Sequence, residues 1–259
     1  MFSSLVDKYF IKQPKFRRFV TKMLDGNRLI NVSLLGKNFK INSLKENGYL
    51  RASRISAHSS LLRDEYPVML ALSNIVTDNC AFIDVGANVG VFSSVLSRFK
   101  KIHSNFQILA FEVHPDTYLR LELNGKEHGF QTFNCGIGKT KEKVEFVGGA
   151  VSHVTTRVNL ANKYNILAEK FLAEIRPLTD FDLPNCLIIK IDVEGQEMAV
   201  LEGAKKYFDE GRVICVYLDG YGDKYCWDFL MNYGYEFFDG KTLEQADRTT
   251  FSLLALKRQ

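Results

Sequence analysis

The stretch Phe82-Ile83-Asp84-Val85-Gly86-Ala87-Asn88-Val89-Gly90 constrains the fold more than any other part of the chain. Ala81 to Val85 is a short apolar run interrupted by one acid, Asp84. Gly86 and Gly90 follow, and then Val91, Val95 and Leu96 recur on one helical face. A buried strand that turns on glycines into a helix is the first half of a βαβ unit. In open α/β sheets, ligands sit over such a turn, at the carboxyl ends of the strands.

The turn itself narrows the ligand. Gly86 has no Cβ, so a ligand can approach the backbone closely, and Gly90 lets the helix start pack near the strand. A phosphate-binding loop needs G-x-x-x-x-G-K-[ST], and no lysine stands here. A nicotinamide site needs G-x-G-x-x-G, and Asn88 occupies the place of the second glycine. Asp84 beside the turn suits a ligand bearing amine and sulfonium cations better than one bearing a pyrophosphate. The competing reading is an ordinary βα turn.

Two later stretches weigh against that competitor. Ile108-Leu109-Ala110-Phe111-Glu112 is a second apolar run ending in an acid. A carboxylate at the tip of the second strand can accept hydrogen bonds from both ribose hydroxyls. Leu187-Ile188-Ile189-Lys190-Ile191-Asp192-Val193-Glu194-Gly195 is a third strand, ending in two acids and a glycine.

Together, Asp84 to Gly90, Phe111-Glu112-Val113-His114-Pro115, Lys190 to Glu197 and Leu201-Glu202-Gly203-Ala204 resemble the FkbM-type methyltransferases. The resemblance covers roughly Ala81 to Leu256, and Lys190 to Glu197 is its most specific part. It implies a class I methyltransferase fold, a Rossmann-like α/β seven-stranded mixed sheet with helices on both faces. It also implies S-adenosylmethionine as cofactor and O-methyl transfer. Gly86, Ala87, Asn88 and Gly90 would then cradle the cofactor, with Asp84, Glu112 and Asp192 contacting it. The sequence departs from the family at Val113, His114 and Asp219, the last standing where Glu is usual.

Charge divides the 259 residues unevenly. Residues 1 to 54 hold 12 Lys and Arg against 3 Asp and Glu, while the remainder holds 22 against 27. The expected organisation is a basic extension of helices and a hairpin over 1–60, followed by a methyltransferase domain over 61–259. Residues 1 to 25 read as two amphipathic helices broken near Pro14. The preferred reading of this arm is a cap docked on the domain with a solvated basic face. Its alternative is contact with an anionic surface, including a membrane.

Five scattered cysteines, without a C-x-x-C pair, argue against a disulfide framework or zinc site and for a reducing compartment. No stretch approaches the ~20 apolar residues of a membrane span. No compact apolar segment with a cleavage site opens the chain, so a cytoplasmic location is expected.

Further along, Leu29 to Ile41 reads as a hairpin, and residues 43 to 64 are poorly patterned. Asp116 to Gly129 and Met198 to Phe208 read as helices and Gln131 to Cys135 as a strand. Gly148 to Arg176 reads as a long irregular lid or binding loop in which His153 is a candidate base or acceptor contact.

Methyl transfer to an alcohol needs alignment, exclusion of water and removal of a proton. Glu194 is the first choice for the proton or the acceptor contact. Asp192 is assigned to the methionine end of the cofactor or to support of the turn. The structural alternative for both is capping of the next helix. Glu197 and Glu202 read as solvated or paired. No metal is assigned, since Asp192 with Asp219 is a thin pair. An amino-methylase acting on nucleic acid would show an Asn/Asp-Pro-Pro-aromatic segment, and there is none, so no nucleic-acid partner is expected. The resemblance points to hydroxyls of sugars in polysaccharides, glycolipids or glycosylated natural products. Competing readings are a methyltransferase acting on a non-sugar acceptor, a catalytically silent binding module and a nicotinamide-dependent oxidoreductase.

Overall fold

The computed structural model describes residues 14–54, 61–148, 155–157, 169–220 and 224–258. The central sheet is built from β3 (Cys80–Val85), β4 (Gln107–Phe111), β5 (Gln131–Phe133), β10 (Cys186–Ile191), β11 (Val213–Asp219), β12 (Tyr235–Asp239) and β13 (Ser252–Lys257). Its order is β12-β13-β11-β10-β3-β4-β5. Five neighbouring strands run parallel, and β13 runs antiparallel to both β11 and β12. This is the expected class I methyltransferase sheet. Every residue of β3 is buried, as a central strand covered on both faces requires.

Three layers follow. On one face, α3 (Tyr66–Ile75), α4 (Val91–Leu96) and α5 (Pro115–His128) pack with Phe82, Ile108, Ile188 and Tyr217. On the other, α6 (Glu197–Gly203), α7 (Lys205–Asp209) and α8 (Lys224–Asn232) cover Ile83, Leu109, Ile189 and Leu218. Proline opens α5 and Gly129 closes it in the left-handed conformation.

The N-terminal extension joins the first of these cores. The hairpin of β1 (Leu29–Leu34) and β2 (Lys37–Asn42) forms as expected and buries Val32, Phe39 and Ile41 there. Asn124 on α5 accepts the Lys40 N–H at 2.8 Å and donates to the carbonyls of Lys40 (3.1 Å) and Val89 (2.8 Å). One side chain thus ties the hairpin to the glycine turn. The poorly patterned stretch after it contains α2 (Asn47–Arg54), whose Arg54 makes a bidentate ion pair with Asp25. Ahead of the hairpin, α1 (Pro14–Leu24) leaves Phe19, Met23 and Leu24 exposed.

Three further expectations are corrected. The segment read as an irregular lid holds β8 (Thr155–Arg157) and β9 (Glu169–Arg176). With β6 (Gly136–Ile137) and β7 (Glu142–Gly148) they form a second sheet in the order β6-β9-β7-β8. The helix expected over Met198 to Phe208 is two helices meeting at Ala204. Cys80 and Cys186 face each other in the β3–β10 register and are joined as a disulfide, so these two cysteines are not free.

Candidate active site

The glycine turn is stitched between two strand ends. The Gly86 and Ala87 N–H groups donate to the Phe111 carbonyl at 3.0 and 2.9 Å, and Asp192 N–H donates to Val85 at 3.0 Å. Gly86 has φ +74°, and a Cβ there would lie 1.9 Å from the Asp192 carbonyl oxygen. Only glycine fits. Gly90 has φ +83°, and its missing Cβ makes room for Leu121 of α5, which would otherwise come within 2.7 Å. The expected close packing at Gly90 is therefore against a helix.

Glu112 stands just beyond the end of β4 and is 6% exposed. It accepts the N–H of Asn88 at 3.0 Å and of His114 at 2.8 Å. Burial pushes its pKa up to about 7, against the pull of those two N–H groups. Each oxygen carries one of these bonds and retains a lone pair for another donor. Nearby, Asn134 donates to the Glu112 carbonyl at 2.8 Å, so its amide is turned back onto β4.

Asp84 is fully buried. It accepts a hydrogen bond from Ser93 at 2.7 Å and pairs with Lys190 Nζ at 3.2 Å. The pleat turns Asp84 into the layer under α4, opposite Lys190 in the strand register. Lys190 is 3% exposed, donates to the Gly86 carbonyl at 3.3 Å and lies 3.6 Å from Asp192 Oδ2. Burial works against its charge, but Asp84, Asp192 and Asp219 outweigh it and hold its pKa above the usual lysine value.

Beside the turn, over the ends of β10 and β11, lies a cleft of about 260 Å³. Asp192, Glu194, Glu197 and Asp219 line it with Val193, Gly220 and Phe251. Asp192 keeps 47% of its side-chain surface accessible at the open side. Enclosure by protein on its other sides pushes its pKa up to about 6, with Lys190 opposing and Asp219 adding to the rise. Glu194 is exposed, and partial desolvation raises its pKa. The cluster explains another shift: Glu65, at the start of α3, is pushed up to about 8 by burial and by Asp219 and Asp192.

The sequence reading missed Glu197. It is 2% exposed rather than solvated. Its Oε1 accepts the Gly195 N–H at 3.0 Å, while Oε2 is buried with no hydrogen-bond partner. Burial pushes its pKa up to about 7. The signal was the spacing Glu194-x-x-Glu197, which puts a second acid in the first turn of α6. The structure thus brings Asp192, Glu194, Glu197 and Asp219 into one cleft and sets Gly86, Asn88 and Glu112 together beside it. His153 lies outside the described residues. Among the described residues, no group of three or more His, Cys, Asp or Glu is arranged to hold a metal ion, and no helix is long and apolar enough to cross a membrane.

A cofactor of amino-acid and nucleoside character fits these residues. The Glu112 oxygens, each holding one backbone N–H, can each accept a further hydrogen bond from a hydroxyl.

Comparison with known proteins points the same way. Methyltransferase 1 of Beauveria bassiana is 28% identical over 149 residues, which cover 49% of this chain and 59% of that protein. Hexuronic acid methyltransferase AglP of Haloferax volcanii is 25% identical over 145 residues, covering 55% and 57%. The matches thus span less than two thirds of these curated relatives. A crystal structure of Methyltransferase FkbM from Methylobacillus flagellatus is 19% identical, with a TM-score of 0.49 over 74% of this chain and 48% of that one. The methyltransferase FkbM domain profile matches residues 84–237, more than half of the sequence. The chain belongs to the FkbM methyltransferase family and takes S-adenosylmethionine as its cofactor.

Proposed function

We propose that the chain transfers a methyl group to a hydroxyl oxygen of a sugar. The observation that carries this reading is the cleft in which Asp192, Glu194, Glu197 and Asp219 converge beside the glycine turn. Such a group of acceptors suits a polyhydroxylated ligand, whose hydroxyls all donate. The name of the Haloferax volcanii relative, a hexuronic acid methyltransferase, supports a sugar acceptor.

Gly86, Ala87, Asn88 and Gly90 form the turn over which the cofactor would lie, and the Glu112 oxygens accept its ribose hydroxyls. Bound there, S-adenosylmethionine would supply an electrophilic methyl carbon, with its cationic sulfur as the leaving group that would retain the C–S electron pair. Glu194 takes the hydroxyl proton, at a carboxylate whose raised pKa brings it closer to neutrality. Asp192, assigned from the sequence to the methionine end of the cofactor or to support of the turn, is placed here on the acceptor side at the end of β10, because it lines the cleft with Glu194. Asp84 acts one layer below, as the buried partner that fixes Lys190 under Gly86 and Asp192.

The test is label transfer. Purified protein and methyl-labelled S-adenosylmethionine are incubated with a host extract, which is then separated into glycan, lipid, protein, nucleic acid and small molecules. Label on sugar is expected. Label in protein or nucleic acid would overturn the acceptor and keep the methyltransferase.

A further inference from the structure

The charge of the cleft carries the reading one step further, to the kind of sugar. Four carboxyl groups line it, and no cation does among the described residues. Lys190 lies beneath the floor, 3% exposed and already paired with Asp84. Lys241 does not line the cleft, and its Nζ lies 5.7 Å from the Phe251 ring centroid and 3.9 Å from Asp64.

The wall is also short of partners. Glu197 is 98% buried and Oε2 has no donor within the protein, although a buried carboxylate oxygen left unpaired is costly. A ligand hydroxyl that reached Oε2 from the cleft would supply that donor. Burial is the first cause of the raised pKa values of Asp192, Glu197 and Glu65, and neighbouring carboxyl groups add to each.

At the rim, Phe251 is 63% exposed. The Gly220 N–H donates to the Phe251 carbonyl at 3.1 Å, which fixes that backbone at the end of β11. The ring thus presents apolar surface next to a row of acceptors, which is the pairing of surfaces that a pyranose displays, C–H on a face and O–H around the edge.

We infer that the acceptor presents an uncharged sugar ring to this cleft, its hydroxyls toward the carboxyl groups and one face toward Phe251, and that a sugar bearing a carboxylate is excluded. The inference rests on reading the cleft as the acceptor site. It separates this chain from its hexuronic acid relative, because a uronate would place a further negative charge against four carboxyl groups with no cation among the described residues that line the cleft.

The experiment takes the labelled extract, hydrolyses the glycan and lipid fractions, and separates the methylated sugars by anion exchange. Label is expected in neutral methyl sugars, exceeding methylated uronates by roughly tenfold or more. Predominant label in uronates would overturn the inference and leave the sugar methyltransferase standing. Label confined to protein or nucleic acid would overturn the acceptor reading and the inference together. Phe251→Ala should lower sugar labelling several-fold with S-adenosylhomocysteine affinity unchanged. Full labelling by this variant would remove Phe251 from the acceptor surface.

Discussion

Lys190 and Asp84 face each other across β10 and β3, Nζ 3.2 Å from Oδ1, with side chains only 4% and 1% exposed. The pair lies directly under the turn that the sequence motif marks. Its role follows from position: the ammonium reaches Asp84, the Gly86 carbonyl and Asp192, so one cation holds the ends of two strands in place.

Removing one partner strands the other. Lys190→Met or Asp84→Asn alone should destabilise the fold by about 3–5 kcal/mol, as expected for a buried pair losing one member. The double variant should cost less than the two single losses added. A urea-denaturation double-mutant cycle checks this, and simple additivity would contradict the coupling.

Gly86→Ala places a Cβ 1.9 Å from the Asp192 carbonyl oxygen at φ +74°. The turn must move, at a cost of at least about 1–3 kcal/mol. Calorimetry should show weakened S-adenosylhomocysteine binding together with a lower melting temperature. Unchanged affinity would remove the turn from the cofactor site.

Much of this was legible in the sequence, for a physical reason. Strands β3, β4 and β10 are covered on both faces and read as apolar runs, with Asp84 and Lys190 the charged exceptions, and the glycines mark where side chain is excluded. Asp84 was picked out, but its pairing with Lys190 was not. Its partner is 106 positions distant, and only the strand register brings them together. Glu197 was passed over because an acid in the first turn of a helix ordinarily faces solvent and the helix dipole. Its burial comes from how α6 leaves the β10 tip. Strand β9, EKFLAEIR, was hidden because it mixes charge with apolar residues without clean alternation.

Glu112→Ala removes the acceptor for two backbone N–H groups and for the proposed ribose contact. Cofactor affinity should fall by about 1–3 kcal/mol. Calorimetric titration with S-adenosylhomocysteine checks it, and an unchanged Kd would refute the ribose assignment.

The raised carboxyl groups set a pH dependence of stability. Glu197 moves from 4.5 in the unfolded chain to about 7 in the fold. Between these values the folded state holds the extra proton, so this contribution is complete below 4.5 and is lost as pH rises through about 7. Gln at position 197 keeps an acceptor for the Gly195 N–H and cannot titrate. The Glu197→Gln variant should therefore lose less stability than the wild type between about pH 5 and about pH 8. Urea midpoints across that range check it, and parallel curves would contradict it.

The central claim is a two-part site, with cofactor over Gly86 and Glu112 and acceptor over Asp192 and Glu194. The measurement that tests it most directly is methyl-label transfer to the sugar fraction by the wild type and by Glu194→Gln, with S-adenosylhomocysteine affinity measured on both. The expected result is loss of transfer by Glu194→Gln with affinity unchanged. Undiminished transfer would remove Glu194 from the chemistry, and loss of affinity with loss of transfer would move it to the cofactor side.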